Sequence, residues 1–273
     1  MIPFTKMQGI GNDFVMIDTL QTDIGSPDLS SLAKAMNDRR FGVGGDGLIL
    51  LERGQDAPFK MRMFNPDGSE SEMCGNGIRC FARLLKGHSH LAEDSVSVET
   101  GAGVLQLELK PGGQVTVDMG VARLTRGEIG MQGPADEKFV EQPVEKGFLG
   151  TAVSMGNPHL VVFVDDVASI DLKYEGQRLE HFPLFPNRTN VHFVQVLSRA
   201  SLLQRTWERG AGATLACGTG ACASAVAALI TGRSESAVEV RLPGGALQLE
   251  IGNDMRVKMT GPAETVFEGN WQD

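Results

Sequence analysis

The chain of 273 residues is poor in cysteine, in aromatic side chains, in positive charge and in long apolar runs. Four cysteines, at 74, 80, 217 and 222, are too sparse for the disulfide framework of a small secreted domain. No Cys-x-x-Cys pair occurs, which removes a thioredoxin-type redox motif. Cys74 with Cys80, or Cys217 with Cys222, would have to turn back along a helix to share an ion, so no metal is expected. No apolar run reaches the roughly 18 residues of a membrane span. The stretch Met1–Lys6 lacks the charged start and apolar core of a signal peptide. These absences lead us to expect a cytoplasmic protein with reduced thiols. A net charge of −9 argues against a nucleic-acid partner, which normally demands a basic face.

Glycine, by contrast, is plentiful at 34 residues, which suggests tight turns and close backbone approaches. Hydrophobic residues make up 41% and charged residues 22%, ordinary for a globular protein, and at about 100–200 residues per domain the length predicts two domains.

The two domains read as one half written twice. Cys74-Gly75-Asn76-Gly77 is echoed by Cys217-Gly218-Thr219-Gly220 at an offset of 143 (217 − 74), and each motif is followed by a helical stretch. Val104–Leu109 matches Ala246–Ile251, Gly11–Phe14 matches Gly156–His159, and Gly47–Leu50 matches Asn190–Phe193, all in the same order. Strand-like alternation recurs, for example in Phe59–Phe64, Val115–Asp118, Leu202–Trp207 and Arg256–Met259. Helices are expected only at Leu29–Asp38, Gly77–Lys86, Leu172–Glu180 and Ala221–Thr231, with Gly127–Gly133 as a linker. The helix opening at Ala221 is small and apolar on every face, as a helix enclosed by sheet would be. The expected fold is α/β (α+β): two pseudo-symmetric domains, each a mixed β-sheet wrapped around a central helix, with the active site in the cleft between them. The first domain covers residues 1–119 plus 262–273, the second residues 120–261.

Cys74 and Cys217 each precede a Gly-x-Gly and a helix. A helix N-terminus carries unpaired N–H groups and a partial positive charge, which lowers a thiol's pKa and holds an anion such as a carboxylate. Cys80 and Cys222 lie inside the helices and read as small buried hydrophobes. Two matched thiols, one per domain, suit inversion of a stereocentre: one thiolate removes an α-proton and the other thiol reprotonates from the opposite face. Such a pair titrates as a coupled unit and needs no cofactor. Gly42–Gly47 fits Gly-x-Gly-x-x-Gly but leads into the strand-like Leu48–Leu51 rather than a helix, so no dinucleotide site is expected.

At Gly9–Phe14, Phe64–Glu70, Cys74–Cys80, Gly156–His159, Arg188–Val191, Trp207–Gly212 and Ala216–Cys222 the chain resembles the diaminopimelate epimerases. The resemblance implies interconversion of LL- and meso-diaminopimelate, for lysine and peptidoglycan synthesis, without cofactor and in a homodimer. It implies that Cys74 donates and Cys217 accepts the proton in the LL to meso direction. Asn12, Asn65, Asn157, Asn190, Glu208 and Arg209 would bind substrate. Gly75, Asn76, Gly218 and Thr219 would hold the α-carboxylate by backbone amides, and His159 and Glu208 would tune the thiols. The chain departs from some members at Gly47, where they carry a substrate-contacting glutamine, and from many at Ala213, where they carry glutamate. The rival readings are a proline- or hydroxyproline-racemase-like enzyme of the same fold and, from another class, a thiol redox or metal-binding protein.

Overall fold

The computed structural model describes residues 1–272, and of Lys146 the backbone alone. The chain divides into two compact units, Met1–Val117 with the residues from Thr260 onward, and Asp118–Met259.

In the first unit, strand Ile2–Gly9 runs antiparallel to Asn12–Asp18 and, on its other side, to Glu264–Trp271. Asn12–Asp18 pairs in parallel with Gly47–Arg53, which is antiparallel to Phe59–Phe64. Phe59–Phe64 is parallel to Ser95–Thr100, which is antiparallel to Gly103–Leu109. Helix α1 (Leu29–Asn37) is capped by Asp28, whose carboxylate accepts from the Ser30 N–H. It lays Leu32, Ala33 and Met36 on Val15, Ile17, Leu48 and Leu50. Helix α2 (Gly75–Gly87) packs against Ile2–Gly9, Asn12–Asp18 and Gly47–Arg53. Where both helices cover the sheet the strands run apolar without alternation, as in Phe14-Val15-Met16-Ile17 and Leu48-Ile49-Leu50-Leu51. Each fully buried leucine there contributes about 1.5–3 kcal/mol.

The second unit repeats this order of pairings. Leu149–Ser154 is antiparallel to Pro158–Phe163, which is parallel to Asn190–Ser198, which is antiparallel to Ser201–Glu208. Ser201–Glu208 is parallel to Ala237–Leu242, which is antiparallel to Gly245–Ile251. Even the register repeats: Phe14 pairs with Gly47 and Leu48 with Phe64, as His159 pairs with Asn190 and Val191 with Trp207. A helical turn, α3 (Arg126–Ile129), stands where the sequence suggested a linker. The reason is a capping box, in which Thr125 and Glu128 close on each other and hold the turn. Helix α4 (Leu172–Glu180) covers one face of this sheet as α1 does in the first unit. Helix α5 (Gly218–Ile230) contacts six strands, from Leu149–Ser154 to Gly245–Ile251, and ten of its residues are buried. Its alanines and serine keep it thin enough to be enclosed.

Each unit is thus a mixed sheet around a central helix, as the sequence led us to expect. Strands Ile2–Gly9, Leu149–Ser154 and Glu264–Trp271 had escaped the reading of alternation. The first two bury almost every residue, and the last exposes most of its own, so none shows a period of two.

Candidate active site

Both central helices begin at the glycine directly after a cysteine, two or three residues earlier than expected. Cys74 and Cys217 are the N-cap residues themselves, in extended backbone. The Cys74 carbonyl accepts from Ile78 N–H at 2.9 Å, and the Cys217 carbonyl from Ala221 N–H at 2.9 Å. The amides of Gly75, Asn76, Gly218 and Thr219 therefore lie ahead of the first intrahelical bond, at the positive end of the helix dipole.

In the first unit the half-buried Cys74 thiol donates to Asn12 Oδ1 at 3.6 Å, and Asn76 Nδ2 donates to the same oxygen at 3.1 Å. Asn12 Nδ2 in turn donates to Asp46 Oδ2 at 2.6 Å. Arg39 bridges Asp46 and Asp13 at 2.7 and 2.6 Å. Asn12, Cys74, Gly75 and Asn76 thus form one cluster. Asn65 stands apart from it in hydrogen bonding, with Nδ2 donating to Ser69 Oγ at 3.0 Å in the turn after Phe64.

In the second unit Cys217 is 4% exposed. Its thiol hydrogen-bonds the Glu208 carboxylate, and the sulfur also meets the Gly220 N–H and the Thr219 hydroxyl. The helix start had suggested a lowered thiol pKa, but Cys217 shows the reverse. Burial pushes it well above its ordinary value, the Glu208 charge adds to this, and the Gly220 and Thr219 contacts offset only part. Thr214 Oγ1 donates to Glu208 at 2.6 Å. Asn190 Oδ1 accepts the Arg209 N–H at 3.0 Å, and the exposed Arg209 guanidinium donates to the Asn187 carbonyl at 3.1 Å. Glu180, nearly buried, accepts from Trp207 Nε1 at 2.8 Å and from Gly210 N–H at 3.1 Å, so it anchors the turn that carries Glu208 and Arg209.

His159 is fully buried, with Nε2 2.8 Å from Asn157 Oδ1 and Nδ1 2.9 Å from His192 Nε2. His192 continues to Thr206 Oγ1 at 3.0 Å. Burial holds both imidazoles neutral: His159 lies well below its usual range, with His192 and Arg209 adding to the effect, and His192 is pushed down to about 3. A Cβ on Gly220 would come within 2.2 Å of the His192 ring, so the first turn of α5 rests on that imidazole. Sequence reasoning missed His192, Glu180, Thr214 and Asp46. The signal for His192 was available: at the repeat offset it replaces Ile49, an imidazole between the apolar Val191 and Phe193. The corresponding floor in the first unit is apolar, with a Cβ on Gly77 meeting Ile49 Cδ1 at 2.7 Å and Phe14 Cζ at 3.6 Å.

Cys80 and Cys222 are fully buried, and burial raises the Cys80 thiol to about 12. At Gly47 a Cβ would meet Met63 Cε at 2.8 Å and the Phe64 carbonyl oxygen at 3.1 Å, which leaves no ready place for the glutamine that the sequence resemblance led us to compare there. Ala213 pairs with Trp207 and faces solvent, so a glutamate is not required there for packing.

Solved structures share the fold. A phenazine biosynthesis protein of the PhzF family from Bacillus anthracis matches with a TM-score of 0.71 at 15% identity, over 98% of each chain. A hydroxyproline epimerase from Agrobacterium vitis matches at 0.67 and 16% identity, over 98% of this chain and 90% of that one. The family follows from sequence. The diaminopimelate epimerase family model matches residues 4–125 and 151–266. "Diaminopimelate epimerase 1" of Nostoc sp. is 51% identical over 98% of this chain and 99% of its own, and the diaminopimelate epimerase of Moorella thermoacetica 50% identical over 98% of both. The chain belongs to the diaminopimelate epimerase family.

Proposed function

We propose that this chain interconverts LL- and meso-diaminopimelate by proton transfer between two thiols, Cys74 and Cys217, acting on opposite faces of one α-carbon. The observation that carries this reading is the pair of thiols at matched helix N-caps in duplicated units. Membership of the family supports the substrate, and a place in lysine and peptidoglycan synthesis, with a cytoplasmic location, is part of the same reading.

The amides of Gly75, Asn76, Gly218 and Thr219 receive the α-carboxylate, onto which carbanion charge spreads during the reaction. Cys217 S–H first gives its proton to Glu208, the carboxylate already bonded to it. The thiolate then takes the α-hydrogen as a proton. Cys74 S–H protonates the carbanion from the other face and is left as thiolate, and exchange with water resets the pair. Asn12 holds the Cys74 thiol in place, while neutral His159 and His192 support the α5 start without adding a charge that would trap the Cys217 thiolate. Asn65, Asn157, Asn190 and Arg209 bind the remaining polar groups of substrate, with the Arg209 fork suited to the distal carboxylate. A homodimer is part of the reading. Apolar Val266 and Phe267, 56% and 47% exposed, are surface for a second copy to cover.

The test is turnover of LL-diaminopimelate in deuterium oxide. Wild type should place deuterium at the inverted α-carbon, and Cys74→Ala and Cys217→Ala should each lose epimerisation by about 10²–10⁴-fold or more. Full activity in either variant would end the two-base reading, and faster turnover of proline would reassign the substrate.

A further inference from the structure

We infer that Asp18, His88 and His90 form a binding site for one zinc ion, separate from the cysteine machinery and taking no part in proton transfer. His88 Nδ1 and His90 Nε2 each lie 2.7 Å from the same oxygen, Asp18 Oδ2. The other carboxylate oxygen accepts the Leu20 N–H at 3.0 Å. The Asp18 side chain is 4% exposed, His88 26% and His90 16%. Two imidazoles and a carboxylate are a donor set that zinc takes up readily, with an open position left over. The three ligand atoms lie within 4.8 Å of one another. Tetrahedral zinc at its usual bond lengths separates its ligands by about 3.3 Å, so each imidazole need withdraw from Asp18 by only ~0.6 Å.

The backbone aims these groups. Asp18 ends strand Asn12–Asp18, and His88 is the C-cap of α2. Ser89 takes a left-handed φ of 62°, which turns two histidines two residues apart toward one point. The turn is closed by His90 N–H on the Leu85 carbonyl at 2.9 Å and Ser89 N–H on the Lys86 carbonyl at 3.1 Å. The His90 ring lies tilted against Phe59, ring centroids 6.0 Å apart, and Gln21 Nε2 donates to the His88 carbonyl at 3.0 Å. The negative end of the α2 dipole favours a cation here. A cavity of about 390 Å³, lined by Asp18, His88, Met16, Gln21 and Glu268 among others, opens on the site and has room for a water as fourth ligand. In the hydrogen-bonded trio each imidazole donates to the carboxylate through its inward nitrogen. Zinc taken on that nitrogen leaves a ring proton only on the outward one, His88 Nε2 and His90 Nδ1, and any proton displaced goes to water.

Cys74 and Cys217 would also take zinc, so the test uses a chain carrying Cys74→Ala and Cys217→Ala. Zinc chloride is titrated calorimetrically, and imidazole tautomers are followed by long-range proton–nitrogen correlation. The expected result is one saturable zinc per chain, a tautomer change at both His88 and His90, and a raised Tm. Adding His88→Gln or His90→Gln, whose amides still reach Asp18 and preserve the fold by circular dichroism, should weaken binding at least ~100-fold and abolish the Tm shift. Absence of saturable binding below millimolar zinc would overturn the proposal. So would binding left unchanged by both glutamine variants, which would reduce the trio to a hydrogen-bonded clamp.

Discussion

At the residue scale, the two cysteines hold equivalent positions and differ in what lies beside them. Cys74 faces an amide, Asn12, whereas Cys217 faces a carboxylate, Glu208. The charge of Glu208 opposes ionisation of Cys217, so Glu208→Gln should lower that thiol's pKa. Site-resolved alkylation with iodoacetamide at pH 8 should then proceed several-fold faster at Cys217 than in wild type, while epimerisation falls. A slower rate would show that the carboxylate does not hold the thiol protonated. The two helix glycines offer a second comparison. A Cβ at Gly220 strikes the His192 ring at 2.2 Å, where neither partner can bend away, whereas at Gly77 it meets the flexible end of Ile49. Denaturant unfolding should show Gly220→Ala destabilised by about 1–3 kcal/mol, and Gly77→Ala by clearly less. The cysteines, asparagines and glycines of the site were legible because their types and spacing carry the chemistry. The raised pKa of Cys217 was not, because burial and the approach of Glu208 are tertiary facts that no local pattern encodes.

At the element scale, the strand pair Pro158–Phe163 and Asn190–Ser198 carries two buried neutral imidazoles beneath α5. Their folded pKa values lie below the unfolded value near 6.5. Above that pH neither state binds the proton and the full stability is present. As pH falls below it, the unfolded chain takes up protons that the folded chain refuses, and stability drops toward the folded value of about 3 for His192. Between pH 6.5 and 5, wild type should lose about 1.6 kcal/mol more in all than His192→Gln, which keeps an amide for Thr206 and has no proton to gain. Equal slopes in urea titrations would show that His192 is solvated in the native state. The helices were largely readable from apolar patterning, but their first turns were placed two or three residues late. A Cys-Gly start has none of the Ser, Thr, Asp or Asn side chains that usually mark an N-cap.

At the scale of the whole molecule, the duplication read from five short echoes recurs as a repeated order of strand pairings with repeated register. Register is what sequence offsets measure directly, which is why those echoes were legible. The zinc trio shows the opposite case, since Asp18 and His88 are 70 residues apart and meet only through the sheet. A homodimer should appear in sedimentation equilibrium as about twice the 29.3 kDa of the chain, and a single-chain mass at micromolar concentration would refute it.

One nesting has consequences for how the chain is made. Thr116 and Thr260 touch through their hydroxyls at 2.7 Å, so the polypeptide leaves the first unit and re-enters it at one point. The strand Glu264–Trp271, which covers one side of Ile2–Gly9, is synthesised only after the whole second unit. At about 5–20 residues per second, translation leaves that side of Ile2–Gly9 uncovered on the ribosome for on the order of ten seconds. An exposed strand edge is a template for pairing with other chains. Nascent chains stalled after Met259 are therefore the species most in need of a chaperone.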